Sequence, residues 1–187
     1  MADNIVEVFI GADLSHGKNK YVNKFVMRDS TTTLVVPNSI IADKLFLTKQ
    51  AQWEHFDAFL LDSKEVQDIV ARNITPIIVV YAWGEISARL VKEIFLDKPL
   101  SSRVLPIIVI DLQLVFDPYT LPAKIAKKLG AGKAPLASCK ATKETWYLEQ
   151  IVNTRKYNAE ITELLNQIVI NNDYVYREER GELYLDA

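Results

Sequence analysis

The apolar and polar positions of this chain change rhythm several times, and each change marks an element. Val6 to Ile10 (VEVFI) alternates with one acid and then turns wholly apolar, as a strand entering a core does. Gly11 and Gly17 are expected to bracket a turn. Tyr21 to Met27, with Tyr21, Asn23, Phe25 and Met27 alternating, predicts a second strand, and Arg28-Asp29-Ser30 is turn chemistry. The β-branched run Thr31 to Val36 predicts a third strand, ended by Pro37, which cannot donate to a ladder. Short connections make these three an antiparallel meander.

The rhythm then becomes helical. Leu45, Phe46, Trp53, Phe56, Phe59, Leu60, Val66, Ile69 and Val70 recur at helix spacing over 38–73, with a break at Asp62-Ser63, where Ser63 suits an N-cap. Thr75 to Ala82 (TPIIVVYA) is a continuous apolar run, expected of a strand covered on both faces. Glu85 to Leu96 predicts a helix with Ile86, Leu90 and Ile94 on one stripe, and Val104 to Leu112 predicts another buried strand. Strand, helix, strand at this spacing is a right-handed βαβ crossover and so a parallel pair. Pro122 to Leu129 reads as a short helix, and a long helix is expected from Thr142 to about Ile168. The tail Tyr174 to Leu185 alternates around Gly181 like a β-hairpin. The order β-β-β-α-α-β-α-β-α-α with a terminal hairpin predicts a three-layer α/β fold with a mixed sheet. It is expected as one domain over 1–187, with the sheet and its helices in 1–115 and a helical extension in 116–187.

Composition narrows the class without changing the fold. The chain has 187 residues, 49% apolar and 25% charged, with net charge -2. That is enough chain to bury a core without disulfides, and nothing in the overall charge points to nucleic acid or an anionic membrane. One cysteine, Cys139, excludes an internal disulfide framework and fits a reducing compartment. The start MADNIVEV lacks a basic n-region and an apolar h-region, and no apolar run reaches the roughly 20 residues of a membrane span. The expectation is a cytoplasmic protein without a membrane partner.

The chemistry centres on the end of the first strand. Asp13, Ser15, Gly17 and Lys20 place a carboxylate, small residues and an ammonium in one short stretch, followed later by Val36-Pro37-Asn38-Ser39. This spacing resembles the Asp-x-Gly-x-Gly-x-x-Lys phosphate-binding turn of actin-like and ribonuclease-H-like proteins, with Ser15 where the first glycine stands. The element order is similar to that fold as well. The resemblance covers about a fifth of the chain. It implies that Asp13 lies near a metal and its waters, here Mg²⁺, while Ser15, Gly17, Lys20 and the turn amides hold nucleotide phosphates. A second phosphate loop would fall at Asp111-Leu112-Gln113-Leu114, which has no glycine to let a backbone approach phosphate.

Three function classes follow. The first is phosphate or nucleotide binding at the Asp13 turn. The second is Mg²⁺-dependent phosphodiester hydrolysis by Asp13, Glu85 and Asp111, because a two-metal site needs several carboxylates at adjacent strand ends. His16 would position a water there. Acids at strand ends also simply cap the next helix, and Glu85 stands in a helix first turn where the dipole favours it. The third class is a non-catalytic adaptor or homo-oligomer, with Tyr174, Tyr176, Leu183, Tyr184 and Leu185 (residues 174–185) as the contact. Other signals have blander readings. Gly130-x-Gly-Lys133 fails the P-loop pattern, the lysines around it suit a solvated helix face, Cys139 has no adjacent base, and His16 and His55 give no zinc spacing.

Overall fold

The computed structural model describes residues 4–14, 22–30, 33–37, 58–60, 62–96, 105–136 and 139–171. Among the described residues, five strands form one mixed sheet: β1 (Ile5–Leu14), β2 (Val22–Arg28), β3 (Thr33–Pro37), β4 (Ile77–Ala82) and β5 (Ile107–Asp111), in the order β3-β2-β1-β4-β5. The β1–β2 and β2–β3 pairs are antiparallel, and β1–β4 and β4–β5 are parallel. Only β2 therefore runs against the rest. The meander and the crossover are both present, joined at β1.

Alternation along the central strands sorts their side chains into two cores. Val6, Val8 and Ile10 of β1, Ile78, Val80 and Ala82 of β4, and Ile107 and Val109 of β5 face one side. There they meet Val66 and Ile69 of α1 (Lys64–Val70) and Ala88 and Val91 of α2 (Glu85–Leu96). Phe9, Val79, Tyr81, Ile108 and Ile110 face the other side. They pack on Ile125 and Ala126 of α3 (Pro122–Lys128), Leu148, Ile151 and Val152 of α4 (Lys140–Asn153), and Ile161 of α5 (Asn158–Ile170). Helices thus cover both faces, which is why β4 and β5 read as continuous apolar runs.

Five expectations need correction. β1 does not stop at Gly11; it continues to Leu14, and Gly11 is a strand residue with α4 against it. A Cβ at Gly11 would lie 2.5 Å from the Ala141 carbonyl oxygen, so glycine here serves a close backbone approach. β5 is shorter than 104–112, because Leu112 already begins a 3₁₀ turn, Leu112–Val115. The long helix expected from Thr142 is two helices, α4 and α5. They are separated where Arg155 takes φ +57, the left-handed region that ends helices. α4 also starts earlier, with Cys139 rather than Thr142 at its N-cap. Ser63 does precede α1 at the N-cap position, yet its buried hydroxyl makes no capping bond. The expected hairpin at 174–185 lies outside the described residues, as do His16, Trp53 and His55.

Candidate functional site

The carboxyl ends of β1, β4 and β5 open on one edge of the sheet. At this edge Asp13 is still within β1, its main chain paired with Lys24, and the register slips between Asp13 and Leu14 as in a β-bulge. Ser15, Gly17 and Lys20 follow outside the described residues, and nothing is described of the Asp13 side chain. Beside β1, β4 ends at Ala82. Trp83 and Gly84 then bend the chain into α2, with Gly84 at φ +85. Glu85 is exposed in the first turn of α2, where the helix dipole favours a carboxylate.

Asp111 ends β5 and has a structural task. Its Oδ1 accepts hydrogen bonds from the main-chain N–H of Gly84 (2.7 Å) and of Gln113 (3.0 Å). One oxygen thereby caps the 3₁₀ turn and ties the β4–α2 bend to the end of β5. Burial raises the Asp111 pKa above the usual carboxylate range. The two N–H donors oppose that shift, and the nearby Glu85 charge adds to it. Trp83 stacks on Phe116 at 5.8 Å, and Phe116 meets Tyr157 edge-on at 4.6 Å, which braces the chain leaving the turn.

The ladder places these acids relative to one another. Phe9, Tyr81 and Ile110 are side by side across β1, β4 and β5. Asp13 is four positions beyond Phe9, whereas Asp111 is one beyond Ile110. At about 3.3 Å per residue and 4.8 Å per strand, their main chains are roughly 14 Å apart. The structure therefore brings Glu85 and Asp111 together and sets Asp13 further out along β1. Among the described residues, no group of three or more His, Cys, Asp or Glu is placed to hold a metal ion.

A cleft of about 480 Å³ lies at the opposite end of the sheet, beside the start of β1. Its ion pairs were not singled out from the sequence. Arg155 grips Glu7 with two bonds of 3.0 and 3.2 Å, and the Tyr81 hydroxyl donates to the same carboxylate at 3.2 Å. Arg28 Nε meets the nearly buried Glu149 at 2.6 Å, and Ser30 bonds to Glu65. The one available signal was Glu7, a single acid inside an apolar strand. Such a residue is retained in a core when a partner satisfies it.

The chain matches no family model, no curated protein and no solved structure.

The remaining sequence signals find structural places. Gly130 ends α3 at φ +86 in a Schellman motif: Ala131 N–H bonds to Ala126 O and Gly130 N–H to Lys127 O. Gly132 and Lys133 continue as exposed loop, and Lys124, Lys127, Lys128, Lys140 and Lys143 are all exposed. Cys139 Sγ lies 3.2 Å from Thr142 Oγ1 at the start of α4. No helix of the described residues is long and apolar enough to cross a membrane.

Proposed function

We propose that this chain is a phosphate-binding protein of ribonuclease-H-like architecture, working at the carboxyl edge of β1 and β4. The strand order carries this reading. An antiparallel meander continued by a parallel crossover, in one sheet ordered β3-β2-β1-β4-β5, supports the architecture that the resemblance at Asp13 implies. In it the chain leaves β1 toward one edge of the sheet and leaves β4 toward the other. Ligands of open α/β sheets bind at such a switch point, outside the carboxyl ends of the strands. The register slip between Asp13 and Leu14 and the N-terminus of α2 both belong to that edge. As the resemblance implies, phosphate oxygens would take main-chain amides of residues 15–20 with the Lys20 ammonium, and Mg²⁺ on Asp13 would offset their charge.

A second reading, a non-catalytic adaptor, is favoured by Asp111. Its Oδ1 is already committed to two main-chain donors, which removes an oxygen that the hydrolytic reading with Asp13 and Glu85 needs. A thermal-shift experiment separates the readings. Mg-ATP at a hundred times its Kd stabilises a binder by about 2.7 kcal/mol, roughly 5–10 °C for a chain of this size. The shift disappears in Asp13→Ala. Absence of any shift with nucleotides, inorganic phosphate and Mg²⁺ refutes phosphate binding and leaves the adaptor. Metal-dependent cleavage of a nucleic-acid substrate, abolished by Asp13→Ala, would instead establish the hydrolytic reading.

A further inference from the structure

β5 is the last strand of the sheet, and its outer side carries no described strand. One bond fixes which groups face outward. Ile78 N–H donates to Pro106 O at 2.9 Å, so Pro106 and, by alternation, Ile108 and Ile110 turn their main-chain groups toward β4. Ile107, Val109 and Asp111 turn theirs toward the open edge. The edge strand is apolar from Ile107 to Ile110 and contains no proline. The opposite edge differs, because β3 ends in Pro37, one of the devices that protect exposed edges.

The space beside β5 has the form of a groove. α2 stands on one face and α5 on the other. Between them is a cavity of about 220 Å³, lined by Ala88, Lys92, Val109, Asp111, Leu114 and Ile168 among others. Leu114 is 69% exposed, although it is a large apolar residue on the rim. No described carboxylate is in ion-pair range of Lys92.

The geometry points to self-association through this edge: two copies pair their β5 strands antiparallel about a two-fold axis at Val109, making one continuous sheet. That register gives each of the three outward residues a partner. Val109 exchanges both main-chain bonds with Val109 of the second copy, and the Asp111 N–H meets the second copy's Ile107 carbonyl in both directions, the Asp111 carbonyl being taken by the 3₁₀ turn. It also brings opposite charges together. Asp111 shares the α2 side of β5 with Ile107 and Val109, so the second copy's Asp111 arrives opposite Ile107 on the α2 side. Lys92 is one turn beyond Ala88 on α2, toward that end of β5, because a crossover helix runs back along its strands. The two-fold axis makes two such Lys–Asp pairings and covers both Leu114 side chains.

Sedimentation velocity of the full chain, from micromolar to sub-millimolar concentration, tests this. The expected result is a concentration-dependent species of twice the 21.3 kDa chain mass. Lys92→Glu puts two like-charge contacts into the interface and raises the dimer Kd by at least about tenfold. Val109→Pro removes the outward N–H at the centre of the pairing while the bonds to β4 come from Pro106, Ile108 and Ile110, so a folded variant by circular dichroism sediments as a monomer. A wild-type chain that stays monomeric throughout overturns the proposal, as does a dimer whose Kd neither folded variant changes.

Discussion

Gly11→Ala tests how closely α4 rides on the central strand. The new Cβ would sit 2.5 Å from the Ala141 carbonyl oxygen and 3.1 and 3.2 Å from that residue's C and Cα. Ordinary contact begins near 3.4 Å, so α4 must retreat by about 0.9 Å. The obstacle is main chain and cannot rotate away. α4 carries Leu148, Ile151 and Val152, all fully buried, and these move with it. Overpacking of this kind costs about 1–3 kcal/mol, and a rigid obstacle puts it at the upper end. The lower unfolded-state entropy of alanine returns about 0.4–1 kcal/mol. The net expectation is a loss of about 2–2.5 kcal/mol, read by urea unfolding as a lower midpoint with an unchanged slope. Ala141→Gly added to Gly11→Ala gives no rescue, because the contact is with a carbonyl oxygen that every residue has. A loss under about 0.5 kcal/mol, or a rescue by Ala141→Gly, would refute the close-approach account.

Three further outcomes follow from other contacts. Asp111→Asn keeps an oxygen for Gly84 and Gln113 and sheds a charge that burial disfavours. Because the folded pKa is raised, the Asp111 contribution is present at low pH and lost as pH rises through that pKa. The asparagine variant is therefore at least as stable as the parent at pH 7, and the difference closes toward pH 3, whereas Asp111→Ala loses about 1–2 kcal/mol. A parent more stable than Asp111→Asn at neutral pH contradicts this. Arg28→Met leaves Glu149 nearly buried without its partner and costs about 2–3 kcal/mol in chemical denaturation, less than a fully enclosed pair because Arg28 is partly exposed. Adding Glu149→Leu recovers most of it, and absence of recovery contradicts the assignment. Tyr81 is held protonated by burial first and by the Glu7 charge and hydrogen bond second. Its contribution is complete below the ordinary tyrosine pKa of about 10 and is lost as pH rises beyond it, so Tyr81→Phe flattens the alkaline fall in stability. An identical alkaline profile for both proteins would show that Tyr81 has no part in it.

The elements most legible in the sequence were those whose pattern had one physical cause. Glu85 to Leu96 is a helix with the expected bounds, because Gly84 supplies the bend before it and a regular apolar stripe continues through it. Ile77–Ala82 was legible as a two-sided buried strand for the same reason. The break between α4 and α5 was not legible. It depends on Arg155 taking a left-handed conformation, and that residue is held by Glu7, which lies far away in the sequence. Gly11 was misread because a glycine required by a neighbouring helix and a glycine required by a turn look alike in one dimension. Asp111 was correctly placed at a strand end, but its partners are main-chain amides, which carry no sequence signature.

The position of β1 in the middle of the sheet governs how the chain can assemble during synthesis. Its antiparallel partner follows it closely, but Ile5 pairs with Ile77, so the parallel side of β1 waits for about seventy more residues to leave the ribosome. Until then the nascent chain carries an unpaired margin next to Val6, Val8 and Ile10, with α1 and α2 not yet available to cover them. Assembly is therefore ordered, hairpin first and crossover last, and closing that long loop sets the pace. A polypeptide interrupted before β4 emerges would expose the core face of β1, and that truncated species would be the first to aggregate.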